Sequence, residues 1–126
     1  MISQTKKFVI IILLVIVLVI VVGVFANKPK DVGKYGPFAQ CLKDSGAEFY
    51  GAFWCPHCQA QKAAFGNAKK LLPYVECSNA DKSQTQICID KKIEGYPTWI
   101  FKDGTRLSGE VPMQTLADKT QCVLPQ

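Results

Sequence analysis

Trp54-Cys55-Pro56-His57-Cys58 decides how the rest of the chain is read. Two thiols at this spacing stand one helical turn apart, close enough to close into a disulfide with little backbone movement. The residues ahead, Ala47-Glu48-Phe49-Tyr50-Gly51-Ala52-Phe53, form a mostly apolar, aromatic run that predicts a strand buried on both faces. Pro56 fits the first position of a helix, where its missing N–H costs nothing and its φ is already helical. Cys55 then falls at a helix N-terminus, where unpaired N–H groups and the helix dipole favour a thiolate. Cys55 is the expected nucleophile and Cys58 the resolving thiol.

His57 is the single histidine of the chain and lies between the two sulfurs. An imidazolium there favours the reduced form, and a favoured reduced form makes the disulfide a stronger oxidant. The alternative for His57 is a polar side chain exposed at a helix start, and for the cysteine pair, half of a zinc site. Zinc needs two more ligands, which Cys77 and Cys88 could supply; redox chemistry is the preferred reading, with no metal and no cofactor expected.

Downstream, Gly95-Tyr96-Pro97-Thr98-Trp99-Ile100-Phe101 places a proline before a β-rich run. Pro97 cannot donate to a ladder, so it belongs to the first strand position or a tight turn, and a cis Tyr96-Pro97 bond is within reach.

Together, the Trp-Cys-x-x-Cys after a strand, the Gly-Tyr-Pro-Thr segment, Phe101-Lys102-Asp103-Gly104 and Gly109 resemble the thioredoxin superfamily from Phe38 to Ala117. Within it, Tyr50 to Cys58, Tyr74-Val75-Glu76-Cys77 and Ile93 to Trp99 are most similar to the thioredoxin-like domain that bacteria and plants fuse to vitamin K epoxide reductase homologues. The resemblance implies an α/β thioredoxin-like fold, a central mixed sheet flanked by helices. It also implies a cis Pro97 facing the dithiol, with Trp54, Pro56, His57, Tyr96 and Pro97 supporting Cys55 and Cys58. A structural Cys77–Cys88 disulfide is implied in the same way, with an electron relay as its alternative role. Two departures stand out. The acidic residue that many thioredoxins carry six positions before the first cysteine is Phe49 here, and Glu48 would face the other side of the strand. The quinone-reducing helical module of the fusion proteins is absent from this sequence.

From Phe8 to Ala26 the sequence of 126 residues has no charged or polar side chain. As a helix this run spans about 28 Å, against a hydrocarbon core of about 30 Å. A cleaved signal peptide is the competing reading, with Lys6 and Lys7 as its basic start and Val24-Phe25-Ala26 as its cleavage site. The run exceeds the usual apolar core of such a peptide, which favours an uncleaved anchor. Lysines flank both ends, so the lysine balance does not orient it. The short N-terminal tail and the cysteine usage place the domain outside the cytoplasm. The expected organisation is a tail at 1–7, an anchor at 8–26, a linker at 27–36 and a thioredoxin-like domain at 37–126.

Within that domain, a short helix opens at Pro37, with Phe38, Cys41 and Leu42 on one face. The dithiol helix is expected to run from Pro56 to about Leu72, with a stripe of Ala64, Phe65, Ala68, Leu71 and Leu72, and Pro73 stopping it. A strand at Tyr74–Cys77, a helix from about Thr85 to Ile93, strands at Thr98–Phe101 and Thr105–Ser108, and a helix from Pro112 to about Cys122 complete the pattern. Asp103-Gly104 is the hairpin turn. The two helices bearing Cys41 and Cys122 are expected on opposite faces of the sheet, which opposes a bridge between them, although the oxidising compartment favours one. That pairing is left open.

The net charge of +5 is dispersed along the chain, which matches solvated helix faces and not a nucleic-acid stripe. The function expected is a single-pass, cell-membrane-anchored thiol-disulfide oxidoreductase that forms disulfides in exported proteins. A quinone-linked membrane oxidase of vitamin K epoxide reductase type would recharge it. The rivals are an anchored reductase or isomerase, a metal-binding or metallochaperone module, and a non-catalytic interaction domain.

Overall fold

A computed structural model describes residues 3–26 and 31–126. The linker residues Asn27, Lys28, Pro29 and Lys30 lie outside the described residues. The chain divides into two units, the first ending at Asp31 and the second beginning at Val32.

The first unit is helix α1 (Gln4–Ala26), which begins ahead of the apolar run and takes in Lys6 and Lys7. Its span Gln4–Gly23 is long and apolar enough to cross a membrane. Side chains from Phe8 to Val22 are exposed all round the helix. A helix apolar on every side has no face that distinguishes a core from water, as expected of one surrounded by lipid.

The second unit is built on a four-stranded mixed sheet. Helix α2 (Gly36–Asp44) leads through a left-handed Gly46 into β1 (Glu48–Gly51). There follow α3 (Pro56–Ala64), a 3-10 turn (Gly66–Leu71), β2 (Tyr74–Glu76), α4 (Gln86–Asp90), β3 (Thr98–Ile100), β4 (Arg106–Ser108) and α5 (Met113–Thr120). The sheet order is β2-β1-β3-β4. β1 and β2 run parallel, because a helix carries the chain back between them, and β3 and β4 pair antiparallel across the Lys102-Asp103-Gly104 turn. β1 is antiparallel to β3, with Phe49 opposite Trp99.

Alternation along β1 sends Phe49 and Tyr50 to opposite faces. Phe49 stacks on Trp99 with ring centroids 4.7 Å apart. It belongs to the larger core with Phe38, Leu42, Phe65, Phe101 and Leu116. Tyr50 packs with Cys77, Cys88, Ile93 and Ile100 on the other face. Glu48 shares that second face, accepting a hydrogen bond from the Tyr50 hydroxyl at 2.8 Å and pairing with Lys91 at 3.1 Å.

Two expectations are corrected. The dithiol helix does not continue to Leu72. It stops at Phe65 because Gly66 takes φ +55°, a left-handed conformation that ends an α-helix, and a 3-10 turn carries the chain on. Phe65, Ala68 and Leu72 stay buried, while Ala64 is turned to solvent. Nor do α2, which bears Cys41, and α5, which ends at Thr120 just before Cys122, lie on opposite faces. Phe38 and Leu42 of α2 enter the same core as Leu116 and Ala117 of α5, and Cys41 is bridged to Cys122 with Cα atoms 5.9 Å apart.

Candidate active site

Cys55 is the residue that caps the N-terminus of α3, in extended conformation, with Pro56 inside the first turn. A tight turn positions it: its N–H donates to the Ala52 carbonyl at 3.0 Å, and its own carbonyl accepts from Gln59 N–H at 3.1 Å. Cys55 therefore stands at the helix start, where the first-turn N–H groups lack intrahelical partners. Cys55 and Cys58 are unbridged thiols, Cys55 6% exposed and Cys58 wholly buried. Cys55 is thus the less buried of the pair.

The loop before β3 closes over Cys55. The Cys55 thiol points at the Tyr96 carbonyl, 3.7 Å away. The Tyr96-Pro97 bond is cis and Pro97 is buried. Thr98 Oγ1 donates to the Gly95 carbonyl at 2.8 Å, holding the turn. Trp54 is 43% exposed yet tethered, its indole N–H donating to Ser78 Oγ at 2.8 Å and its ring meeting Tyr96 edge-on at 6.0 Å. These contacts place an aromatic wall beside the thiols. His57 projects outward and its Nδ1 lies 2.7 Å from Glu110 Oε1. Glu110 lies far from the dithiol along the chain, so no local spacing marks it.

The underside of the site is built by residues that spacing could not reveal. Gly51, the last residue of β1, faces Cys58 so closely that a Cβ there would stand 2.7 Å from the sulfur and 2.9 Å from Tyr74 Cε2. Burial pushes the Cys58 thiol up to about 12; the neighbouring Cys55 adds to this, and a backbone hydrogen bond at Ala52 opposes it. Glu76 of β2 receives three hydrogen bonds: Phe53 N–H and Ser78 N–H at 3.0 Å each, and the Tyr74 hydroxyl at 2.8 Å. That carboxylate stitches β2 to the segment leading into the dithiol. Burial, then Glu76, pushes the Tyr74 phenol far above its ordinary value. Lys62 sits over the Tyr74 ring, its ammonium 3.3 Å from the centroid.

Cys77 and Cys88 are bridged to each other, and both are wholly buried. The bridge ties α4 to the end of β2, where Cys77 N–H donates to the Gly51 carbonyl at 2.7 Å. Cysteines bonded to each other offer no thiolates to a metal, so the four-cysteine zinc reading loses half its ligands.

The sequence profile described as Thioredoxin matches residues 40–121. The chain is similar to thiol-disulfide oxidoreductase LTO1 of Arabidopsis thaliana, 48% identical over 93 residues, an alignment covering 70% of this chain and 24% of that protein. It is also similar to the thioredoxin domain-containing protein 5 homolog of Drosophila melanogaster, 33% identical over 69 residues, covering 47% of this chain and 16% of that protein. The chain thus spans about a quarter of the first relative's length and about a sixth of the second's. The matched region holds the dithiol, the cis proline and all four strands, and the chain belongs to the thioredoxin family.

Proposed function

We propose that this protein is a membrane-anchored thiol-disulfide oxidoreductase that forms disulfides in exported proteins. The observation that carries the reading is the pairing of an outer sulfur, Cys55 at the α3 N-terminus, with an inner one, Cys58, beneath the Tyr96-Pro97 turn. The outer sulfur is the one a substrate thiolate attacks, and the inner one leaves and stays shielded. A second substrate thiolate then resolves the mixed disulfide, releasing oxidised substrate and the reduced Cys55–Cys58 pair. The turn before β3 offers an extended substrate backbone a surface beside the sulfurs, and Trp54 covers their flank. The name of the Arabidopsis relative, a thiol-disulfide oxidoreductase, supports the same reaction class.

The oxidising direction is supported by His57 between the cysteines, since a cation near the thiolate stabilises the reduced form. Helix α1 supports anchoring, and two buried or partly buried disulfides support an oxidising compartment outside the cytoplasm. The resemblance of Tyr50 to Cys58 to domains fused to vitamin K epoxide reductase homologues supports a quinone-linked membrane oxidase as the recharging partner. The Cys77–Cys88 bridge acts as a clamp in this account, because neither sulfur is accessible to an incoming thiolate.

The test is trapping. In the full chain in detergent, Cys58→Ser mixed with a disulfide-containing test protein accumulates a covalent adduct through Cys55, resolved by mass spectrometry, and Cys55→Ser accumulates none. Absence of any adduct with Cys58→Ser overturns the reading.

A further inference from the structure

The inner thiol poses a chemical problem that Trp54, His57 and the Tyr96-Pro97 turn do not solve. When a substrate thiolate opens the Cys55–Cys58 disulfide, the electron pair of the broken S–S bond goes to Cys58, deep in the domain. A thiolate formed there needs a counter-charge and then a proton. Phe49, six residues ahead of Cys55, is apolar and stacked on Trp99, so it supplies neither.

Lys62 meets the requirement by position. It stands four residues after Cys58 on α3, which puts both side chains on one helix face. Its ammonium lies 3.3 Å from the Tyr74 ring centroid, and Tyr74 Cε2 and Cys58 Sγ both border the space that a Gly51 Cβ would fill, at 2.9 Å and 2.7 Å from it. Lys62 is half-buried, so its far side communicates with solvent. The ionisable groups around it are Cys58 on its own helix, Tyr74 and Glu76 on β2, and Lys69 in the 3-10 turn. Glu76 is already engaged by three donors, and Tyr74 donates its proton to Glu76.

We infer that Lys62 is the proton-handling residue of the dithiol, giving its ammonium proton to the Cys58 thiolate as the disulfide opens and regaining one from water. The inference rests on the exchange reaction proposed above. The step balances: the substrate sulfur bonds to Cys55, the Cys55–Cys58 bond breaks, Cys58 leaves with the electron pair and is protonated, and Lys62 becomes a neutral amine until solvent restores it. In the reverse direction the neutral amine takes the proton from Cys58 so that its thiolate can attack the mixed disulfide. Burial lowers Lys62 from the ordinary lysine value, with Glu76 and Cys58 opposing.

The experiment compares Lys62→Met and Lys62→Arg with the wild type, using the full chain in detergent. Arginine keeps the charge but does not give up its proton. Oxidised protein is mixed with a synthetic dithiol peptide and the single-turnover opening rate is followed against pH. Both variants are expected to slow opening at least ten-fold at neutral pH. Both should also lose the alkaline fall in rate that the wild type shows once corrected for the peptide's own thiolate fraction. A substrate-free reading uses Cys55→Ser, where the alkylation rate of Cys58 at fixed pH reports its thiolate fraction. There Lys62→Met is expected to slow alkylation at least five-fold, and Lys62→Arg to leave it within two-fold. Wild-type opening rates in Lys62→Arg reduce Lys62 to a fixed charge and overturn the inference, as do unchanged rates or unchanged alkylation in Lys62→Met. Failure of the wild type to react with any dithiol defeats the proposed function instead, and alkylation then decides the Lys62–Cys58 coupling alone.

Discussion

Gly51 and Cys58 are in such close apposition that a single methyl group on residue 51 would stand 2.7 Å from the inner sulfur. The glycine is therefore part of the redox site, although it carries no functional group and lies on the strand before it. A Gly51→Ala variant must push the sulfur or the Tyr74 ring aside. Overpacking of this kind costs about 1–3 kcal/mol. The expected result is a thermal unfolding shift together with a loss of about ten-fold or more in exchange rate with a dithiol peptide. Exchange within two-fold of wild type would show that Cys58 has room the structure does not give it.

Titration of the inner thiol gives a second expectation. Burial holds Cys58 protonated up to about 12 in the fold, whereas in the unfolded chain it ionises near the ordinary 9. The unfolded state thus loses its proton first as pH rises. The stability that comes from keeping the thiol neutral is present in full below about 9 and is lost as pH climbs toward 12. Denaturant titration of the reduced protein at pH 8 and pH 11 should show this decline, and Cys58→Ala should reduce it. Iodoacetamide at pH 8 should modify Cys55 well before Cys58, as peptide mapping would show. Equal labelling of the two thiols would contradict the buried placement.

The Cys41–Cys122 bridge closes a sequence separation of 81 residues and ties α2 to the chain after α5. In the chain-entropy account, removing a native bridge of this kind from a small domain costs about 2–5 kcal/mol. The Cys41→Ser, Cys122→Ser double variant should lose stability in that range in chemical denaturation. Its dithiol exchange rate should remain within about two-fold of wild type, because neither sulfur touches the Cys55 edge. A large loss of exchange with unchanged stability would give the bridge a redox role instead.

How much of this could be read from the amino-acid sequence differs from residue to residue. Cys55, Cys58, Pro56 and Pro97 announce themselves, because spacing and the missing proline N–H constrain the backbone locally. The stop at Phe65 was hidden, since Phe65, Ala68 and Leu72 keep the apolar spacing of a helix while passing into a 3-10 turn. Only the left-handed Gly66 marks the break, and a single glycine inside an apolar pattern does not specify its own φ. Cys41 and Cys122 depend on which face each helix packs against, a tertiary fact. Gly51, Glu76, Lys62 and Glu110 join the site through β1–β2 pairing, through a shared helix face and through the return of the chain after β4. Only Lys62 leaves a local pattern, four residues after Cys58, and that spacing alone does not mark it for chemistry.

The 2.7 Å contact between His57 Nδ1 and Glu110 Oε1 bears on redox direction. An imidazolium beside the dithiol favours its reduced form. His57→Ala should then lower the reduction potential by about 30 mV or more, the equivalent of about 1.4 kcal/mol. Glutathione equilibration of wild type and variant at pH 6 checks it, and an unchanged potential would make His57 a surface residue only.

The most direct test of the account is the equilibrium reduction potential of Cys55–Cys58 in the full chain, measured in detergent by glutathione titration with mass-spectrometric thiol counting. A disulfide-forming enzyme requires a value well above that of cytosolic thioredoxin, about −200 mV or higher against about −270 mV. A value at or below about −270 mV would contradict the account and favour a disulfide reductase instead.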